Sequence, residues 1–247
     1  ADGTHDENWT DVSGFLVADP RVVENPDVIN VITYKELREL AYMGASVLHE
    51  DAIFPVRTAG IPINIKNTNK PEDAGTMIVS DDHDFEDESN AYTITGIAGR
   101  KGFSTINIEK AMMNSEMGFG MKVLRVLADN NVSFEHMPSG IDTMSITVDT
   151  NSLNPVREKV LSQLRKEVNP DHLEIEDGIA LLAVVGRRMK NTRGTVARIF
   201  ASMAHARINV KMIDQGSSEL NVIIGVSEND LNEAIRRIYD MFISSEK

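Results

Sequence analysis

The sequence contains no cysteine among its 247 residues. That absence excludes a disulfide framework, thiolate zinc and iron–sulfur sites, and a cysteine nucleophile. Positive charge is scarce as well: 25 Lys and Arg stand against 38 Asp and Glu, a net charge of -13. A general nucleic-acid binder gains affinity by neutralising phosphates with clustered cations, so no nucleic-acid partner is expected. The one short basic run, Arg187-Arg188-Met189-Lys190, has no aromatic neighbour for base stacking. No run approaches the ~18 to 20 consecutive apolar residues that a membrane-spanning helix needs. The opening ADGTHDENWTD is polar and acidic, the opposite of a signal or transit peptide, so no membrane partner and a cytoplasmic location are expected. Also missing are a glycine-rich phosphate loop, a Walker lysine, a kinase-type HRD, histidines at ligand spacing and a Ser-His-Asp set. What is present, 41% hydrophobic and 26% charged residues, suits a globular chain of about two domains.

Acidic charge is densest at 81–88, where six of eight residues are carboxylates. Such a run repels itself and has low β-propensity, so residues 81–90 read as a solvated linker. A divalent-metal loop is the alternative, but the spaced ligands and central glycine of a calcium loop are missing, and no metal site is assigned. Before it, residues 33–48 read as a helix, with Thr33 and Glu36 spaced as a capping box. PINIKN (62–67) alternates like a strand, and Ser13 to Val17 is a short β-prone run. Two strands and one helix fall short of an α/β sheet, so residues 1–80 read as the tail of a larger domain.

After the acidic run the sequence repeats. Residues 118–140 lie over 194–216 without a gap at an offset of 76. The register extends outward, with Ile106 and Ile108 on Leu182 and Val184, and Met144, Ile146 and Val148 on Leu220, Val222 and Ile224. Each copy reads as a strand (104–109; 180–185), a helix (119–130; 194–206), two strands (132–137 and 143–149; 208–213 and 219–226) and a second helix (153–167; 228–244). This βαββα order is one strand short of a ferredoxin-like unit. Leu173 to Glu176 is available to the first copy. The second copy is expected to borrow Tyr92 to Ala98, so that the two interlock as βαββαβ units over 91–177 and 178–247. The whole is α+β: two interlocked ferredoxin-like domains behind a partial α/β domain.

The loops carry the chemistry. At MNSEMGFG (113–120) a strand leads into a helix N-terminus with two glycines, where bare N–H groups attract an anion such as an amino-acid carboxylate. FEHMPSGID (134–142) adds Glu135 for an ammonium group and a Ser139-Gly140 turn. Helix capping, a tight turn and a solvated strand carboxylate explain the same residues equally well. The second copy carries Lys190 and Arg193 where the first has Asn114 and Met117, so only one copy is expected to bind a given ligand. In the first segment Thr10 and Asp11 suit a ribose or base edge and Arg21 a phosphate, although Thr10 and Asp11 are also good turn residues.

ENWTDVSGFLVADPRVVENP (7–26), ITYKELRELAYMGASVLHEDAIFPV (32–56) and GIPINIKNTNKPEDAGTMIV (60–79) resemble, in order and spacing, the C-terminal part of the catalytic domain of the aspartate kinase family. EHMPSGIDTMSITVD (135–149) and NVKMIDQGSSELNVIIGV (209–226) resemble that family's first and second regulatory ACT domains, most closely in its monofunctional, lysine-sensitive class. The resemblance implies ATP-dependent phosphorylation of the aspartate β-carboxylate, the first step toward lysine, threonine and methionine. It implies ATP contacts at Thr10, Asp11 and Arg21, with Leu16 and Val47 further matches on the nucleotide. Ser46 stands where some members have an ATP-contacting lysine. ATP with magnesium would serve the full-length enzyme, with no cofactor held tightly by these residues alone. The family's phosphate- and aspartate-binding segments precede the WTD motif and are not in this sequence, so no catalytic residue is assigned and the chain is expected to be inactive by itself.

For the regulator the resemblance implies a free amino-acid effector, lysine or also threonine, bound where first ACT domains pair in a homodimer. Met113, Glu116, Gly118, Phe119, Gly120, Glu135, Ser139 and Gly140 would contact it. The outcome would be feedback inhibition. The competing reading is a structural ACT dimerisation module that binds no effector.

Overall fold

A computed structural model describes residues 6–45, 60–83 and 92–245. The first segment holds strand β1 (Asp6–Thr10), β2 (Val31–Thr33), helix α1 (Tyr34–Tyr42), β3 (Ile63–Asn67) and β4 (Thr76–Val79). Their sheet runs in the order β1-β3-β4-β2, with β1 parallel to β3, β2 parallel to β4 and the central pair antiparallel. The expected capping box is formed: Thr33 Oγ1 accepts from the Glu36 N–H, and Glu36 accepts from the Thr33 N–H.

The helix expected over 33–48 stops at Tyr42. Gly44 takes a φ of 99°, its N–H reaches the Ala41 carbonyl and the Ala45 N–H reaches that of Leu40, a Schellman ending. Residues 46–48 of the expected helix lie outside the described residues. Ser13 to Val17 is not a strand either. Gly14 turns with a φ of 108°, and the Phe15 N–H donates to Thr76 Oγ1 at 2.8 Å instead of to a neighbouring strand.

The remainder forms one six-stranded sheet. In chain order it comprises β5 (Gly96–Glu109), α2 (Phe119–Asp129), β6 (Phe134–His136), β7 (Thr143–Asp149), the single turn α3 (Thr150–Leu153), α4 (Arg157–Val168) and β8 (His172–Val185). Then come α5 (Thr195–His205), β9 (Met212–Asp214), β10 (Asn221–Ser227) and α6 (Leu231–Tyr239), which runs into a π-helical turn over 240–244. Strand order is β6-β7-β5-β8-β10-β9. β5 and β8 pair along their whole length across an irregularity at Arg100 to Thr105, so each long strand serves both copies. Gly96, Ile97 and Ala98 lie opposite Val185, Val184 and Ala183 of the second copy, while Leu173 to Glu176 lie opposite Ile108 to Thr105 of the first. The expected interlock is therefore observed. Each half has the ferredoxin-like strand order, and the second takes its fourth strand from ahead of the first.

The gapless repeat holds only as far as the hairpins. Helices α2 and α5 keep the offset of 76, but Ile106 pairs with Ile146 whereas Leu182 pairs with Ile224. Met144, Ile146 and Val148 therefore correspond to Val222, Ile224 and Val226, not to Leu220, Val222 and Ile224, because the second hairpin turn is two residues longer. A slip of two keeps every side chain on its original face, so apolar periodicity cannot reveal it.

One continuous apolar core joins the first segment to the second copy: Ile32, Leu37, Leu40, Ile65 and Ile78 pack with Ile97, Leu181, Ile235 and Phe242. The first copy has its own core, built from Ile106, Val123, Leu127, Ile146, Leu153 and Leu164. Gly96 allows α1 to lie close on β5, since a Cβ there would come within 2.7 Å of Leu40 Cδ1.

Candidate functional site

Two regions gather the expected residues. The first is at the carboxyl ends of the parallel strands β1 and β3, where open α/β sheets commonly receive ligands. Thr10 closes β1, its hydroxyl donates to Asp11 Oδ1 at 3.2 Å, and its carbonyl accepts from the Thr68 N–H at 2.8 Å. Beside them Asn67 Nδ2 donates to Ser13 Oγ at 2.8 Å, and Ser13 Oγ donates to Asp73 Oδ2 at 2.6 Å. Asn67 and Ser13 were not among the expected residues. Asn67 had a readable signal, because in INIKN it occupies the buried parity of Ile63 and Ile65 and is itself 6% exposed.

Arg21 is held by Asp19, with Nη2 2.6 Å from Oδ2, and lies exposed at the surface. That bidentate pairing pulls the Asp19 carboxyl below its ordinary range. Leu16 is half-buried and bridges Val28. Ser46 and Val47 lie outside the described residues. Thr10 and Asp11 suit the donors and acceptors of a nucleoside, while a triphosphate would have to take Arg21 from Asp19. Among the described residues no group of three or more His, Asp or Glu is arranged to hold a metal ion, so no magnesium role is assigned to them.

The second region is the first copy's loop and hairpin, and the structure joins them. The Asn114 N–H donates to the Ile141 carbonyl at 3.0 Å, the Met112 N–H to Asp142 Oδ1 at 2.8 Å, and the Lys110 N–H to the Asp142 carbonyl at 2.9 Å. Asp142 thus ties the two candidate segments together, a role that depends on a contact across the fold and leaves no mark in local sequence. Gly118 caps α2 with a φ of 77° and no side-chain cap, as Gly194 does for α5 with a φ of 84°. The Phe119 N–H that opens α2 is taken by the Glu116 carbonyl at 3.2 Å, whereas the Gly120 N–H that follows lies ahead of any intrahelical carbonyl.

The expected contact residues differ in what they offer. Met113 and Phe119 are buried in the first copy's core, 5% and 3% exposed, and so support the loop from beneath. Glu116 receives Lys110 Nζ and, at 2.7 Å, Lys122 Nζ, and these two ammonium groups hold its carboxyl below the ordinary range. Lys110 also donates to the Val168 carbonyl at 2.6 Å, which fixes it in place. Ser139 and Gly140 line a cleft of about 420 Å3 together with Asn107, Thr143 and Lys211.

Glu135 is not an open carboxylate. It accepts from the Tyr42 hydroxyl on Oε2 and from Arg100 Nη2 at 3.4 Å on Oε1, and its side chain is only 10% exposed. Burial, reinforced by Glu135, pushes the Tyr42 hydroxyl up to about 12, from an ordinary value at which it is already a protonated donor at neutral pH. Around the same loops Met112, Met117, Met121 and Ile141 stand 64 to 95% exposed. The second copy's equivalent loop borders a cleft of about 500 Å3 lined by Lys190, Arg193 and Gly194, a basic surface where the first copy is apolar. No described helix is long and apolar enough to cross a membrane.

Comparison with known proteins follows the same division. The amino acid kinase family pattern matches residues 7–67, and the ACT domain pattern matches residues 182–242. Aspartokinase 3 of Bacillus subtilis is 39% identical over 239 residues, which cover 96% of this chain and 52% of that protein. The crystal structure of Clostridium acetobutylicum aspartate kinase superposes with a TM-score of 0.90 at 54% identity, covering 96% of this chain and 54% of that one. Escherichia coli aspartokinase III, solved with aspartate and ADP in its R-state, superposes with a TM-score of 0.76 at 25% identity, over 96% and 52% of the two chains. The chain thus spans about half the length of these relatives.

Proposed function

We propose, from its likeness to the aspartokinases, that the chain is the lysine-sensing regulatory part of an enzyme that phosphorylates the aspartate β-carboxylate with ATP. The observation that carries the reading is the junction of the 110–120 loop with the 139–142 turn through Asp142 and Asn114. The Gly120 N–H of α2 and the Ser139-Gly140 turn lie on the two segments that this junction joins, and in this reading they receive the amino-acid carboxylate. Glu135 is the acceptor for the side-chain ammonium of lysine. Threonine has no such ammonium and would use only the carboxylate end.

Lysine is proposed to lie between the first copies of two chains. Met112, Met117, Met121 and Ile141 support a homodimer there, because exposed apolar side chains grouped on adjoining loops are costly to leave in water. Inhibition would be a population shift: lysine favours the regulatory arrangement that holds the kinase domain inactive, by no more than its differential affinity for the two states. In the whole enzyme, Thr10 and Asp11 would hold the nucleoside side of ATP and Arg21, released from Asp19, its phosphates, and ATP supplies the transferable phosphoryl group. The described residues include no set for aspartate, and this polypeptide alone is expected to give no turnover in a coupled ADP-release assay.

Calorimetric titration with lysine, threonine and methionine tests the reading. Lysine is expected to give saturable heat, and Glu135→Ala to weaken it by about ten- to a hundredfold for a lost charge-assisted contact. The structural dimerisation reading has one observation in its favour, that Glu116 and Glu135 already have partners. Absence of heat with all three amino acids, from a folded dimer, would establish it instead.

A further inference from the structure

Helix α1 carries Glu36, Glu39 and Tyr42 at three-residue spacing, which places them along one side of the helix. Each reaches the paired domains. Glu36 meets Arg187 and Thr95, and Glu39 Oε2 accepts from Asn221 Nδ2 at 2.6 Å, so the first two contacts fall on the second copy. Tyr42, in the last turn, crosses to the first copy and donates to Glu135. One helix of the kinase segment is therefore anchored on the second copy at its start and touches the proposed effector carboxylate at its end.

Resting on the lysine reading above, we infer that Tyr42 is a positioning residue that reports occupancy of Glu135 to helix α1: a ligand ammonium reaching Glu135 displaces the Tyr42 hydroxyl and releases the last turn of the helix. Both Glu135 oxygens are already engaged and the side chain is nine-tenths covered, so an incoming cation cannot simply be added. Arg100 opposes it too, as a like charge 3.4 Å from the same carboxylate. Nor is Arg100 free to retreat alone. Its guanidinium lies 5.7 Å from the Tyr42 ring centroid and 4.7 Å from that of Phe103, so it is sandwiched between the helix and the strand. Arg100 and Phe103 flank the irregularity where β5 passes from one copy to the other, so the cation stacked on Tyr42 belongs to the element both copies share. Coupling of this kind is reciprocal: whatever holds α1 in place weakens lysine, and lysine loosens α1 by the same factor.

The test compares this chain with Tyr42→Phe, which keeps the ring under Arg100 and removes only the hydroxyl. Lysine affinity is measured by calorimetry, and amide exchange over residues 34–42 with and without lysine. Removing the competitor is expected to tighten lysine roughly three- to tenfold, the net range of one ordinary hydrogen bond, since Tyr42 is 53% exposed. Lysine should speed exchange at the end of α1 in the parent chain, whereas in Y42F exchange there is already raised and responds little. A merely structural tyrosine would leave lysine affinity unchanged or weaken it. Parent and variant binding lysine equally would overturn the inference alone. A parent chain that binds no lysine would overturn the effector reading, and this inference with it.

Discussion

Glu36 is fully buried, and replacing it by alanine should be among the most damaging single changes in the first segment. Its Oε2 accepts from the Thr33 N–H and hydroxyl at 3.0 Å each and from Arg187 Nη1 at 3.1 Å. Oε1 accepts from Thr95 Oγ1 at 2.6 Å and from the Arg187 N–H at 2.8 Å. Five donors therefore converge on one carboxylate that has no access to water. The sum of their gross energies overstates the loss, because burying the charge costs several kcal/mol before any contact is made. The relevant figure is that for removing one partner of a buried pair, about 3–5 kcal/mol, since Arg187 and the Thr33 N–H are left behind. Glu36→Gln should not rescue it, because the amide turns two donors toward a cluster of donors. Urea unfolding followed by circular dichroism measures the loss. A loss of less than about 1 kcal/mol for E36A would refute the reasoning, since it would mean that the site accepts water at no cost.

The shared strands give a second prediction. Gly186→Ala places a Cβ 2.8 Å from Ile94 Cα, 3.0 Å from the Thr93 carbonyl and 3.0 Å from the Thr95 N–H, all backbone, so about 1–3 kcal/mol of overpacking should appear in the same unfolding assay. The pairing of Asp177 with Arg157 and Ser104 gives a third. Those hydrogen bonds lower the Asp177 pKa from 3.8, so the stability they contribute is present above that value and is lost as pH falls through the lower folded one. Asp177→Asn should flatten the acid arm of melting temperature against pH below about pH 4, and an unchanged arm would remove Asp177 from that role.

Features encoded within a few residues of one another were legible in the sequence. The Thr33/Glu36 box, the α2 and α5 repeat and the alternation of PINIKN all became the elements they suggested. Strand β1 was not legible because DENWT is an acidic edge strand, and polar edges are how sheets discourage further pairing. Glu36 was legible as a cap but not as the anchor of Arg187, which is 151 residues away. The same limit applied to Glu135. Its residue type and strand suggested an open acceptor, and only the folded chain brings Tyr42 across to cover it. Asp142 was missed for the converse reason, since a carboxylate in a turn reads as ordinary until the loop it ties down is seen beside it.

The exchange of strands between the copies also sets an order of events during synthesis. By the time β8 has emerged as far as Glu176, the first copy has every strand it needs. The Gly96–Arg100 half of β5 is then still waiting, because its partner Leu181 to Val185 has only begun to follow. Until then an apolar edge, with Ile97 at its centre, stands open to any neighbouring strand, including that of another nascent chain. Slowing translation while residues 177–185 are emerging from the ribosome should therefore raise aggregation, whereas an equal pause once residue 227 has emerged should not. The fold's most binding joint is also its most exposed moment.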